Sequence, residues 1–222
     1  MGLEVLLIND DAFELATLAE AMRLRGVNVA GKSHTLATAE SLFITLQPDV
    51  VVIDLQFNSR RGAALAQEMR KTKKSLGVVH TTACPDLRLL AIPEKDIVRS
   101  ARIVLKRCMA DLDVLCEAVP DSKRAINANE KVTWVNRQTS ANGNSPYAAL
   151  GQLTDTQIET LRLVVIGMSN GEIAKMRFVS EKSVEQIVAR IAQHLGIESD
   201  RKRNLRVLLT NQYQKWVGSP AQ

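Results

Sequence analysis

LTDTQIETLRLVVIGMSNGEIAKMRFVSEKSVEQIVARIAQHLGI, residues 153–197, contains three helices that carry their own start signals. Thr154 with Gln157, and Ser169 with Glu172, have the spacing at which a hydroxyl and a side chain three residues on satisfy each other's free amides. Ser180 can cap a third helix. Behind these caps Ile158, Leu161 and Val165 recur at helical spacing, as do Ile173 and Met176, and then Val184, Ile187, Ile191 and Leu195. Each helix therefore has one apolar face. Only Arg177–Ser180 separate the second helix from the third, and Ala174 is small enough to admit a neighbour, so the two should cross steeply as a helix-turn-helix. Such a unit lays its second helix in a DNA groove. A bundle whose stripes are only core would leave the cap and turn chemistry without a purpose.

Read on Leu153-Thr154, Leu161, Gly167, Ser169-Asn170, Glu172-Ile173-Ala174, Val179-Ser180, Lys182-Ser183-Val184 and Leu195-Gly196, residues 150–222 resemble the DNA-binding domain of LuxR-type (NarL-type) transcription regulators. The resemblance implies an all-α four-helix domain that binds double-stranded DNA as a homodimer. Arg201–Trp216 would be the fourth helix, with Leu205, Leu208, Leu209 and Trp216 as the dimerisation stripe. Opposite the apolar side of the third helix stand Lys182, Glu185, Gln186, Ala189, Arg190 and Gln193, with Ser183 beside them. Gln186 is suited to adenine and Glu185 to cytosine N4. Arg177, Lys182, Arg190 and the run Arg201-Lys202-Arg203 are left for the phosphate backbone. Glu185 and Ala189 stand where LuxR-type relatives often carry lysine, so a domain that has lost DNA binding and serves as a partner module is the competing reading.

The last third of the chain accounts for that domain, and 222 residues leave room for another. Apolar content of 45% with 24% charged residues is that of an ordinary globular protein, and no apolar run approaches membrane-spanning length. The N-terminus opens on an alternating strand without a signal-like segment, so the expected location is the cytoplasm. Cys84, Cys108 and Cys116 form no CxxC pair, which favours reduced thiols over a disulfide framework or zinc site. A net charge of +5 favours a polyanion without choosing among DNA, RNA and anionic lipid.

The front of the chain alternates strands and helices. Strands are expected at Glu4–Ile8, Val27–Ala30, Val50–Ile53, Gly77–His80 and Arg102–Leu105, and helices at Ala12–Arg25, Thr38–Gln47, Ala63–Lys71 and Ala110–Val119. Pro85 and Pro93 interrupt the place of a further helix. The pattern is that of a doubly wound α/β domain with a parallel five-stranded, flavodoxin-like sheet over residues 1–120. Residues 121–149, rich in Asn, Ser and small side chains, read as a linker in which Lys131–Asn136 could form a short docked strand.

Ligands on such sheets bind outside the carboxyl ends of the strands. Those ends carry Asn9-Asp10-Asp11, Asp54, Thr81-Thr82 and Lys106. Here the front resembles a response-regulator receiver domain, with PDVVVIDLQFNSRRG as its phosphoacceptor segment. The resemblance implies that Asp54 accepts phosphate, that Asp10 and Asp11 join Asp54 around Mg²⁺ with the Gln56 carbonyl, and that Thr81 and Lys106 bind the phosphoryl group. A sensor histidine kinase would be the donor. The chain departs from the pattern at Phe57-Asn58, at Arg107 and in lacking an aromatic within Arg102–Leu105. Read without the resemblance, Asp11 can equally cap a helix, Asp54 end a strand and Lys106 lie in solvent. Two accounts of control follow: phosphorylation at Asp54, or a receiver-like domain that serves dimerisation or ligand or partner binding without phosphate. A phosphohydrolase is the weakest alternative, because Asp10 and Asp11 are adjacent rather than two apart. No enzymatic activity is expected.

Overall fold

The β-branched run Val50–Asp54 forms β3 and is buried at every position, as a strand covered on both faces must be. Around it stand β1 (Glu4–Ile8), β2 (Asn28–Ser33), β4 (Gly77–Thr82), β5 (Arg102–Leu105) and β6 (Thr133–Val135) in a parallel sheet of order β2-β1-β3-β4-β5-β6. The computed structural model describes residues 2–106, 112–135, 146–198 and 203–218, and these fall into two compact units. Helices α1 (Ala12–Leu24) and α5 (Asp113–Asn127) share one core with Val5, Leu7, Val50, Val52, Val79 and Val104. Helices α2 (Leu36–Leu46) and α4 (Gly62–Thr72) complete the regular helices of this unit, with a four-residue turn, α3 (Phe57–Arg60), between β3 and α4. Helix α2 begins earlier than expected because Thr35 caps it, accepting the Thr38 N–H.

The sixth strand, β6 (Thr133–Val135), lies in the stretch expected to be a linker and pairs in parallel with β5. The helix expected to end at Val119 runs on through Pro120 to Asn127. Proline removes a backbone donor there, but the buried stripe Val114, Leu115, Ala118, Val119, Ser122 and Ala125 continues past it, and packing holds the helix together. Ser122 Oγ donates to the Val119 carbonyl at 2.7 Å. At the end of this crossover Arg102, almost fully buried, bonds Asp121 and Glu130, which ties α5 and the approach to β6 to β5. The first unit thus extends beyond residue 120 to β6, and the separating stretch is correspondingly shorter than 121–149.

The second unit holds α6 (Pro146–Gly151), α7 (Asp155–Val165), α8 (Asn170–Arg177), α9 (Glu181–His194) and α10 (Leu205–Val217), together with Cys84–Ala91 from between β4 and β5. The prolines that argued against a regular helix are followed by two 3-10 turns, Leu87–Leu90 and Glu94–Asp96. Leu87, Leu89 and Leu90 are buried. The Arg88 guanidinium donates to the carbonyls of Leu153 at 2.9 Å and Leu150 at 3.3 Å and pairs with Asp155 at 2.9 Å and Asp86 at 2.7 Å. Tyr213 Oη donates to the Leu89 carbonyl at 2.6 Å. This packing corrects the expected dimer stripe. Leu209 and Trp216 lie in the core with Tyr213 and Val217, while Leu205 and Leu208 are half-buried. The apolar side of α10 has partners inside its own unit.

Two predictions follow from these cores. His80 on β4 is fully buried, and burial pushes its imidazole down to about 4. Because the unfolded histidine titrates near 6.5, stability should fall as pH drops from about 6.5 toward 4, by on the order of 3 kcal/mol in all. Urea midpoints between pH 7.5 and 4.5 should slope less steeply in His80→Leu, and an unchanged slope would clear His80 of the effect. On α10, Tyr213→Phe should cost about 1 kcal/mol and Leu209→Ala about 2–5 kcal/mol. A Leu209→Ala variant that splits a dimer without lowering the thermal midpoint would show that α10 faces a partner instead.

Candidate nucleic-acid interface and strand-end site

The α8–turn–α9 unit is fixed by its caps. Thr154 and Gln157 form a reciprocal box at the start of α7, at 3.3 and 2.8 Å. Ser169 caps α8 through the Glu172 N–H at 3.2 Å, but the Glu172 carboxylate turns to Lys175, so the second expected box has its forward half alone. Ser180 Oγ accepts the Ser183 N–H at 3.1 Å and meets Ser183 Oγ at 2.8 Å, which starts α9. Ala174 is buried, as the crossing of two helices requires.

Burial of Val184, Val188, Ile191 and Ala192 then sets which side of α9 faces outward. The inner stripe is turned slightly from the expected one, since Val188 replaces Ile187 and Leu195, both of which are half-buried. Lys182, Glu185, Gln186, Ala189, Arg190 and Gln193 are all exposed, and Ser183 is half-buried beneath its cap. Arg177 departs from expectation. Its guanidinium lies against α7, donating to the Thr156 carbonyl at 2.8 Å and to Thr160 Oγ1, with Glu159 at 3.4 Å. As placed it braces the turn against α7, which leaves little of the side chain to solvent. Arg203 is exposed, and Arg201 and Lys202 lie outside the described residues. Arg206 had no sequence signal. It reaches Asn170 Oδ1 at 2.7 Å and the Met168 carbonyl, holding α10 to the corner between α7 and α8.

At the carboxyl end of the sheet the structure brings Asp54, Thr81 and Lys106 together. Asp54 ends β3 beside Thr81 of β4, and both are buried. Lys106, just past β5, sits 2.6 Å from Asp54 Oδ2 and 2.7 Å from Glu14 Oε2, while the Gln56 N–H donates to Asp54 Oδ1 at 2.6 Å. Burial pushes the Asp54 carboxyl up, an effect that Lys106 opposes. Burial alone would lower Lys106, but Asp54 and then Glu14 hold its ammonium above its ordinary value. Glu14 was missed in the sequence, although its place one turn into α1 is what carries it to this end of the sheet. Gly62 permits the turn after β3, because a Cβ there would lie 2.0 Å from the Asp54 carbonyl oxygen.

The other two carboxylates have separate tasks. Both Asp10 oxygens accept the Asn58 N–H, at 3.0 and 2.9 Å. Asp11 caps α1 through the Glu14 N–H at 2.8 Å. Asn58, Ser59 and Arg60 are all left-handed, with φ of 47°, 56° and 73°, so α3 is a strained turn. Among the described residues no three acidic, histidine or cysteine side chains are gathered closely enough to hold a metal.

Residues 151–203 match the model of the family described as bacterial regulatory proteins, luxR family. The chain is 20% identical to the DNA-binding transcriptional activator EvgA of Escherichia coli K12 over 89% of its own length and 93% of that protein's. It is 23% identical to the transcriptional regulatory protein DesR of Bacillus subtilis, over 89% and 92% of the two lengths. It is also 24% identical to the DNA-binding transcriptional activator DevR/DosR of Mycobacterium tuberculosis, over 78% of each. Its fold is similar to that of the response regulator RcsB in a DNA complex, with a TM-score of 0.54, 22% identity and coverage of 98% of this chain and all of that one. Residues 151–203 thus carry a helix-turn-helix matched by the luxR family, and it follows a parallel α/β unit in a chain whose fold is similar to that of a response regulator.

Proposed function

We propose that the protein is a DNA-binding transcription regulator that reads its site through the outer face of α9. The observation that carries this is the exposed row Lys182, Glu185, Gln186, Ala189, Arg190 on a helix whose opposite side is locked into a capped helix-turn-helix. Gln186 offers adenine a bidentate partner, Glu185 accepts from cytosine N4, and Lys182, Arg190 and Arg203 serve the phosphates. The family match and the DNA-binding relatives support this reading. One such domain reads one half-site, so tight binding calls for two copies. With the α10 stripe engaged inside its unit, the outer residues Leu205, Val207 and Leu208 or the receiver-like domain supply the dimer contact.

For control, the geometry favours the account that does without phosphate. Asp54, Thr81 and Lys106 preserve an acceptor, a hydroxyl and a cation. However, Asp54 already pairs with Lys106 at 2.6 Å, Asp10 accepts from the Asn58 amide, and Asp11 is a helix cap. The receiver-like domain then acts through dimerisation or by binding a ligand or partner.

Gln186→Ala or Arg190→Ala should weaken binding to a selected site by about 1–3 kcal/mol and relax specificity, whereas Arg203→Ala should weaken all sequences alike. Equal affinity of wild type and the Gln186/Arg190 double variant, measured by fluorescence anisotropy, would remove α9 from the interface. Under excess acetyl phosphate and Mg²⁺, intact-mass spectrometry should show no added phosphoryl group. An adduct that disappears in Asp54→Asn but survives in Asp49→Asn would restore phosphorylation of Asp54 as the switch.

A further inference from the structure

Phe178 ends α8 in the left-handed conformation, φ 55° and ψ 45°, with 96% of its surface exposed. Neither feature helps the fold. A bulky aromatic is strained in this region, where glycine or asparagine would hold the same turn at less cost, and a ring left in water contributes no burial. Met176 and Val179 beside it are exposed as well, at 56% and 42%, so the turn carries an apolar edge.

That edge lies immediately before Ser180, the cap of α9, and so adjoins the N-terminal end of the reading helix. In helix-turn-helix docking the N-terminal residues of the second helix meet base edges in the major groove. The groove presents hydrogen-bonding groups and one apolar feature, the C5-methyl of thymine. Lys182, exposed in the first turn of α9, supplies a cation for the flanking phosphate. We infer that Phe178 is a specificity-determining residue that packs its ring on a thymine C5-methyl at the edge of the half-site. The inference rests on α9 being the reading helix. The place of Phe178 two residues before the cap of α9 favours DNA over a protein as the occupant of the edge, and the strain at Phe178 persists because the contact requires the ring at this point.

The test uses the full-length protein and a duplex selected by it from a random pool, with each thymine replaced singly by deoxyuridine. Loss of one buried methyl should weaken wild type roughly fourfold at one position in each half-site. Phe178→Gly should bind the thymine duplex more weakly than wild type and be indifferent to the methyl at that position. Its thermal midpoint should be no lower than that of wild type, since glycine relieves the left-handed strain, which separates lost contact from lost fold. If no uracil substitution is felt more by wild type than by Phe178→Gly, or if Phe178→Gly binds as wild type, the inference is overturned. Gln186→Ala tells the two failures apart. Weakening by Gln186→Ala with an inert Phe178→Gly sinks the Phe178 contact alone, whereas two inert variants sink α9 as the reading helix.

Discussion

Four side chains on the inside of α9, Val184, Val188, Ile191 and Ala192, must be out of water, and that requirement orients everything else the helix does. Once they pack on the neighbouring helices, the rotation of α9 is fixed, and its outer residues are presented without any need for a separate positioning device. The caps at Ser169 and Ser180 fix where α8 and α9 start, and the small, buried Ala174 lets the two approach. Function at this face is therefore a by-product of core packing plus turn chemistry.

The same dependence runs through the rest of the second unit. Helix α10 would be an apolar stripe in water without α7 and the Leu87–Leu90 turn to cover it, and Arg88 and Tyr213 fasten that turn by hydrogen bonds to carbonyls that would otherwise be buried unmet. A stretch encoded between two strands of the sheet thus completes the core of the helical unit. In the first unit the corresponding constraint is the ion pair of Lys106 with Asp54 and Glu14. Together with the Gln56 amide it opposes the upward push that burial gives the Asp54 carboxyl.

What could be read from the sequence divides along local and non-local lines. The strands, the caps and the outer face of α9 depend on residues near one another in the chain, and periodicity exposes them. The continuation of α5 past Pro120 depends on burial of residues on both sides of the proline, which outweighs a local breaker. Strand β6 depends on an edge of the sheet that only the folded chain offers. Arg177 was legible as a cation but not as a brace, because its partners Thr156 and Thr160 lie on α7, 21 and 17 residues earlier in the chain. The stripe on α10 was legible as apolar, yet periodicity cannot say whether the partner of a stripe is another copy or the same chain.

This division bears on how the interface discriminates. The net charge of +5 overstates what is aimed at DNA, since Arg88, Arg102, Lys106, Arg177 and Arg206 are all held by partners within their own units. On α9 the exposed cations Lys182 and Arg190 are offset by Glu181 and Glu185. Counterion release scales with phosphates neutralised, with a salt slope of about −0.9 for each, so an interface with few free cations gains little sequence-independent affinity. On the proposed reading such a surface holds its site through groups that respond to bases: a carboxamide, a carboxylate, a small alanine that lets the helix sit deep, and an aromatic ring at the turn. Weak attraction to DNA in general leaves a larger share of the binding to those contacts, and specificity rises with that share.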